Sequence, residues 1–138
     1  MAGMTQVWER LYIGSRDDAE RLYMSNSFGI TTVLSLCEEG VLLRHPAVNY
    51  LHVPIVDNQP LGAGQFEAFI NAVAGNIFGG TVLLHCGLGV SRAPIMAASW
   101  MHCCGYKSIG AALEEIARLR PSIAPSGVLL ASVKEHLQ

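Results

Sequence analysis

The order of apolar and polar positions along the chain predicts strands and helices in alternation. The predicted strands are short, apolar and rich in β-branched residues, as buried strands are; they cover residues 7–13 as a strand pair, 30–37, 50–56 and 81–85. The predicted helices have apolar residues at three- and four-residue spacing and begin at capping residues or proline. They run from Ser15 or Asp17 to about Asn26, over 65–78, from Pro94 to about Cys104, from Ser108 to Leu119 and from Ser126 to about Leu137.

This alternation predicts an α/β fold: a single-domain three-layer sandwich in which helices flank a central, mostly parallel sheet of four to five strands. A length of 138 residues suits one domain over 1–138 with a substantial core. With 51% hydrophobic and only 14% charged residues, the chain is too apolar to be disordered.

One stretch of the chain is almost free of charge. Between Ala68 and Tyr106 the only charged residue is Arg92. Glycines and polar residues interrupt this stretch before it is long enough to cross a membrane, so we interpret it as the packed centre of the domain. An arginine keeps its proton and needs an anion when it is buried. Because the stretch contains no carboxylate, we predict that a bound ligand supplies the anion.

Net charge and cysteine content narrow the choice of partners and compartment. The net charge of −2 predicts neither a nucleic-acid partner nor attraction to a membrane surface. The first residues lack the apolar segment of a secretory signal. Cys37, Cys86, Cys103 and Cys104 form no C-x-x-C pair, so we expect no disulfide framework and no zinc site. We therefore expect a cytoplasmic protein.

The segment H-C-G-L-G-V-S-R, from His85 to Arg92, joins the last predicted strand to a helix. In an α/β sheet, loops at this position bind ligands, and the N–H groups of successive residues surround one tetrahedral anion. We expect Gly87 and Gly89 to allow backbone angles and close contacts that a side chain would block. Arg92 would hold two oxygens of the anion, and Cys86 would lie beneath it as a nucleophile whose thiolate form the helix terminus and the guanidinium favour. The residues expected to supply the phosphate loop are Gly87, Leu88, Gly89, Val90, Ser91 and Arg92.

The pattern H-C-x-x-G-x-x-R resembles the signature of the cysteine-dependent protein tyrosine phosphatases. Ser91, the segment L-Y-I-G-S that ends at Ser15, the R-P pair at 120–121 and the short length resemble the small (atypical) dual-specificity branch. The resemblance implies a protein tyrosine phosphatase-like fold and a phosphoric monoester hydrolase that acts on phosphotyrosine and on phosphoserine or phosphothreonine in proteins. It also implies a phosphocysteine intermediate on Cys86, with Arg92 holding the transferred group and Ser91 assisting its release. We expect no metal ion and no other cofactor.

His85 has two interpretations: the resemblance implies that it orients the loop, whereas a histidine at a strand end is equally compatible with simple burial in the core. Cys37 also ends a predicted strand. Inert packing of Cys37 is favoured over a disulfide with Cys86 that would protect the nucleophile from oxidation.

The leaving oxygen needs a proton, which a carboxylic acid on a separate loop normally supplies. Asp57 follows a predicted strand where the resemblance implies that the acid loop lies, although V-D-N-Q-P also fits an ordinary Asx turn. Glu38 and Glu39 also follow a strand and are the second candidates.

Three positions depart from the family pattern. Leu88 and Ala93 replace the Ala and Ser common in dual-specificity loops, which we expect to change packing more than chemistry. Ser126 stands where many members carry Asn, so one hydrogen bond to the acid loop is in question. The loop has no lysine, which disfavours inositol phosphates.

Two alternative functions remain open from the sequence. The same anion site would serve a module that binds phosphorylated residues with little turnover. An RNA 5′-phosphatase would use the same chemistry, although the chain lacks an excess of basic residues.

Overall fold

Residues 3–138, which the computed structural model describes, form five strands. They are β1 (Thr5–Trp8), β2 (Leu11–Gly14), β3 (Thr32–Ser35), β4 (Asn49–His52) and β5 (Val82–His85). One sheet contains all five in the order β1-β2-β5-β3-β4. β1 pairs antiparallel with β2, and every other neighbouring pair is parallel. The prediction of a mostly parallel sheet is confirmed.

Five helices cover the sheet: α1 (Arg16–Arg21), α2 (Ala63–Ile77), α3 (Arg92–Cys103), α4 (Ile109–Leu119) and α5 (Gly127–His136). The larger apolar cluster packs between one face of the sheet and α2 to α5. The smaller cluster lies on the other face, beneath α1. Adjacent residues of β5 show the alternation, because Leu84 belongs to the larger cluster and Leu83 to the smaller one. The domain therefore has the three predicted layers.

The capping residues predicted for three helices are confirmed. Ser15, Ser108 and Ser126 each accept a hydrogen bond from the backbone N–H three residues further on. The predicted end of the first helix at Asn26 is wrong, since α1 ends at Arg21. The Asn26 side chain instead bonds both backbone groups of Ile30 at 2.9 Å, a local turn that competes with the helix.

The parallel strands end level with one another and so define one edge of the sheet. His85 at the end of β5 pairs with Gly14 of β2 and with Ser35 of β3, and Ser35 pairs with His52 of β4. The loops after these four strands therefore converge. Regular pairing of β4 ends at His52, short of the predicted 56, because the register shifts by one residue beyond it: Val53 donates to the Ser35 carbonyl, but Ile55 donates to the Leu36 carbonyl.

The charge-poor stretch contains most of α2, all of β5 and all of α3, in agreement with its interpretation as the centre of the domain. Within residues 3–138, no helix has the length and apolar character needed to cross a membrane.

Candidate active site

Four backbone carbonyls of the loop 86–90 accept hydrogen bonds from the elements around it. The pairs are Cys86 with Nδ1 of His85 (3.3 Å), Gly87 with the N–H of Arg16 (3.0 Å), Gly89 with Nε of Arg120 (3.1 Å) and Val90 with the N–H of Ala124 (2.7 Å). The C=O and N–H of a trans peptide point in opposite directions. The N–H group that follows each of these carbonyls therefore turns away from the surrounding elements and toward the concave side of the loop.

The same N–H groups have no partner in the described part of the protein. Within residues 3–138, the N–H groups of residues 87–91 donate to no backbone or side-chain acceptor. Converging N–H groups at the start of a helix form an anion site, and here the helix is α3, which begins at Arg92. The predicted phosphate loop has the geometry that anion binding requires.

Only one of the two loop glycines is required by the backbone. Gly89 has φ +73°, and a Cβ there would lie 2.7 Å from the carbonyl carbon of Gly14 and 2.8 Å from Nη2 of Arg120. The expectation is confirmed for Gly89, whereas no atom of the described residues requires glycine at 87. A Cβ on Gly87 would meet nothing nearer than Nη2 of Arg92 at 3.8 Å, an ordinary contact.

His85 combines the two interpretations proposed for it. Its side chain is fully buried, and burial lowers its pKa to about 4, so the ring is neutral near pH 7. Because the Cys86 carbonyl can only accept, Nδ1 carries the hydrogen, and Nε2 accepts from the Ser35 hydroxyl at 2.6 Å. His85 is thus a core residue that also fixes the start of the loop.

The two cysteines near this histidine have different surroundings. Cys86 is 2% exposed and follows β5 directly at the start of the loop. The Cys37 sulfur lies 3.8 Å from Nδ1 of His85. Burial raises the pKa of the Cys37 thiol although the Arg92 guanidinium opposes the shift, which agrees with the predicted inert packing.

Arg92 does have a carboxylate partner, which corrects the expectation that a ligand alone supplies its anion. Its Nη1 donates to Oε1 of Glu38 at 3.2 Å and to the carbonyl of Ile55 at 3.0 Å. The neighbouring Glu39 pairs with Arg16 at 3.3 Å. Both glutamates come from the loop after β3 and are well exposed, so water screens the two ion pairs. An incoming phosphate can compete with Glu38 for the guanidinium.

Asp57 lies at the phosphate loop, as the sequence predicts. The Ser91 hydroxyl donates to Oδ1 of Asp57 at 2.8 Å and accepts from the N–H of Ser126 at 3.0 Å. Within the described part of the chain, Ser126 makes no direct hydrogen bond to the acid loop: its N–H bonds Ser91, and its hydroxyl caps α5 through Leu129. The structure brings the four candidate catalytic residues Cys86, Ser91, Arg92 and Asp57 to one edge of the sheet.

Sequence reasoning missed the part that Arg120 plays at this site. Its side chain is 3% exposed, and besides Gly89 it donates to the carbonyl of Gly3 at 2.6 Å and to Oγ1 of Thr5 at 2.9 Å. Arg120 thus ties the phosphate loop to the first strand. The only signal in the sequence is the R-P pair, which indicated a family resemblance and no contact.

Known proteins share both the sequence pattern and the fold. Residues 11–138 match the family described as "Dual specificity phosphatase, catalytic domain". Dual specificity protein phosphatase 18 of Bos taurus is 28% identical over 106 residues, which cover 73% of this chain and 55% of that protein. The crystal structure of DUSP15 superposes with a TM-score of 0.85 at 27% identity, covering 96% of this chain and 86% of that one. A variant of human DUSP28 has a TM-score of 0.84 at 21% identity, with 99% and 94% covered, which is a likeness of fold.

The family match shows which family of domains the chain belongs to. It does not show the substrates or the activity of the whole protein. This chain spans about half the length of the curated relatives named dual specificity protein phosphatase 18. The match confirms the predicted resemblance to the dual-specificity branch and the protein tyrosine phosphatase-like fold. With the loop geometry described above, the chain belongs to the dual specificity phosphatase catalytic domain family.

Proposed function

We propose that residues 1–138 are the catalytic domain of a phosphoprotein phosphatase that hydrolyses phosphotyrosine and phosphoserine or phosphothreonine through a phosphocysteine intermediate on Cys86. One observation carries the proposal: four of the five carbonyls of residues 86–90 are bonded outward, and the N–H groups that follow them turn toward the concave side of the loop. A phosphate dianion is the ligand that suits such a loop. The family match supports the same chemistry.

In the first step, the Cys86 sulfur attacks phosphorus while the bond from phosphorus to the leaving oxygen breaks. The loop N–H groups and Arg92 hold the other three phosphate oxygens. Asp57 donates its proton to the leaving oxygen. Since Oδ1 of Asp57 accepts from Ser91, Oδ2 is the oxygen that carries this proton.

In the second step, water attacks phosphorus and the bond between phosphorus and sulfur breaks. Asp57, now a carboxylate, accepts the proton that the water loses. Ser91 assists this step by holding Asp57 at the loop, because the Ser126 N–H occupies an acceptor position of its oxygen and leaves its hydrogen directed at Asp57. Inorganic phosphate and the regenerated Cys86 are the products.

The surface around the loop supports dual specificity toward proteins. Gly87 and Leu88 are exposed, so the loop lies close to the surface and a short phosphoserine reaches it as well as a phosphotyrosine does. The packing predicted for Leu88 is wrong, because 74% of this residue is exposed at the mouth of the site, whereas Ala93 is buried. Leu88 offers an apolar contact for the substrate chain. Glu38 and Glu39 at the same mouth disfavour inositol phosphates and RNA, which carry several negative charges.

The proposed partner is a phosphorylated protein, and the proposed location is the cytoplasm. A reducing compartment keeps Cys86 as the thiol or thiolate that the reaction needs.

Hydrolysis of p-nitrophenyl phosphate in the presence of a metal chelator tests the reaction class. We expect turnover by the wild type, none by Cys86→Ser, and phosphocysteine detectable by mass spectrometry after rapid acid quenching. Cys103→Ser is the matched control, since Cys103 is an exposed cysteine at the other end of α3. Tight binding of a phosphopeptide by the wild type without release of phosphate would contradict the proposal and indicate a binding module.

The role of Asp57 is tested with two esters that differ in their leaving group, phenyl phosphate and p-nitrophenyl phosphate. Phenolate is the poorer leaving group and needs the proton more, so Asp57→Asn should lower kcat/KM for phenyl phosphate about 10²-fold and for p-nitrophenyl phosphate less. Glu38→Gln is the control carboxylate. It should change both esters by the same factor, because Glu38 acts on the Arg92 guanidinium. If Asp57→Asn lowers kcat/KM equally for both esters, Asp57 is not the general acid.

A further inference from the structure

The loop that carries Asp57 is bonded at its far end to the last helix. The N–H of Leu61 donates to Oγ of Ser132 at 2.8 Å, and the Leu61 carbonyl lies 2.7 Å from Nε2 of His136. Since a carbonyl can only accept, Nε2 of His136 carries the hydrogen. Leu61 and Ser132 are buried, so the bond between them is shielded from water, whereas the bond from His136 is partly buried. Both backbone groups of Leu61 are therefore held by side chains of α5.

A ring contact fixes the orientation of the histidine. The imidazole of His136 stacks on the ring of Phe66 in α2, with centroids 5.3 Å apart and planes at 12°. The stack leaves the edge of the imidazole, with its N–H, directed at Leu61. A group with one fixed orientation loses little further entropy when it makes this bond.

The first turn of the same helix reaches the acid from the other side. The N–H of Ser126, the N-cap of α5, donates to the Ser91 hydroxyl, which donates to Asp57. The start of α5 is thus linked to Asp57 through Ser91, and the rest of the helix is bonded directly to Leu61. We call these contacts, made by Ser126, Ser132 and His136, the α5 clamp.

We propose that the α5 clamp is a positioning device for the general acid, with Ser132 and His136 as positioning residues, an inference that rests on the role of Asp57 proposed above. Three residues separate Asp57 from Leu61, and one of them, Asn58, has φ +60°, so the connection is a tight turn. A displacement of Leu61 is therefore transmitted to Asp57. An acid must lie within hydrogen-bond reach of the leaving oxygen, and an error of about 1 Å costs about 10²-fold in rate.

The start of the acid loop is held independently of α5. The carbonyl of Pro54 accepts from Nε2 of Gln65 at 2.9 Å, and the N–H of Ile55 donates to the Leu36 carbonyl at 2.9 Å. Loss of the clamp should consequently move Leu61 and, with it, Asp57. The start of the acid loop and the phosphate loop should stay in place.

The leaving-group ratio separates positioning of the acid from a general effect on folding. We define this ratio as kcat/KM for p-nitrophenyl phosphate divided by kcat/KM for phenyl phosphate. Ser132→Ala removes two bonds to Leu61, one accepted from its N–H at 2.8 Å and one donated to its carbonyl at 3.4 Å. His136→Phe removes the imidazole bond to the carbonyl, and phenylalanine keeps a ring to stack on Phe66. Each variant should raise the ratio about tenfold, mainly through kcat for phenyl phosphate, while inhibition by inorganic phosphate stays unchanged.

Two further variants make the comparison specific. Lys134→Ala alters an exposed residue of the same helix and should leave the ratio unchanged. His136→Gln offers an amide N–H to the Leu61 carbonyl and should restore part of the wild-type ratio. Thermal melting of every variant shows whether the domain is folded at the assay temperature.

The outcomes distinguish failure of the clamp proposal from failure of the proposed acid role of Asp57. If Asp57→Asn raises the ratio but Ser132→Ala and His136→Phe do not, the clamp proposal is wrong and the acid assignment stands. If Asp57→Asn leaves the ratio unchanged, both are wrong. If the clamp variants raise the ratio further in the Asp57→Asn background, they act by another route and positioning is refuted; we expect no additional effect there.

Discussion

Replacing Gly89 by alanine should cost far more than the same replacement at Gly87, two residues earlier in the same loop. At φ +73° a Cβ raises the backbone energy by about 1–2 kcal/mol. The new methyl group would also lie 2.7–2.8 Å from the Gly14 carbonyl and the Arg120 guanidinium, an overlap that costs about 1–3 kcal/mol to relieve. We expect Gly89→Ala to lower the free energy of unfolding by about 2–5 kcal/mol.

Thermal melting and steady-state kinetics together measure this effect. For a domain of this length each kcal/mol corresponds to about 3–5 °C, so Gly89→Ala should melt at least about 6 °C below the wild type. At a temperature where it is folded, kcat/KM should fall about 10²-fold, because the shifted backbone misplaces the Val90 N–H. Gly87→Ala should melt within about 2 °C of the wild type or slightly above it, since alanine is compatible there.

The pair of variants can refute the reasoning in two ways. A Gly89→Ala protein with wild-type melting and kinetics would show that the loop does not pack against Gly14 as described. Equal losses in the two variants would show that the concave side of the loop also requires glycine at 87, and that the ordinary contact of a Cβ there with Arg92 is not the relevant one.

Two further predictions concern the residues behind the loop. Arg120→Lys leaves buried oxygens of Gly89 or Gly3 without a donor, so it should lower the free energy of unfolding by about 2–4 kcal/mol and weaken inhibition by phosphate, whereas Arg118→Lys on the exposed face of α4 should do neither. In the unfolded chain His85 takes up a proton near its ordinary pKa of 6.5, whereas in the folded protein burial lowers this pKa to about 4. The unfolded state therefore binds more protons at low pH, and the free energy of unfolding should fall by about 2 kcal/mol between pH 7 and pH 5. Urea denaturation at both pH values checks this, and His85→Asn should show a flatter dependence.

The parts of the fold that were predictable are those encoded by neighbouring residues. Strands β2, β3 and β5 follow from short apolar runs, and the starts of α1, α4 and α5 follow from serine caps. The phosphate loop lies within one segment, so its residues and their order are visible in the sequence. The wrong prediction that the first helix extends to Asn26 also concerns neighbouring residues. There, the hydrogen bonds of the Asn26 side chain to Ile30 form a turn in place of the helix.

The parts that were not predictable join residues far apart in the chain. Glu38 reaches Arg92 across 54 positions, Arg120 reaches Gly89 across 31, and His136 reaches Leu61 across 75. No periodicity or spacing in a single sequence encodes such contacts, because each depends on which elements the folded sheet places side by side. Asp57 was predictable only because the family resemblance supplied its place at the edge of the sheet.

The long-range contacts explain why a loop of a few residues needs a whole domain. Its carbonyls are held by the end of β5, the first turn of α1, the residue after α4 and the segment before α5. The donors to these carbonyls are His85, Arg16, Arg120 and Ala124. They lie outside residues 87–91, whose N–H groups would face the phosphate. The anion site is therefore a consequence of packing, and it forms only when elements on both faces of the sheet are in place. If α5 positions the acid as proposed above, the folding of this domain also assembles its chemistry.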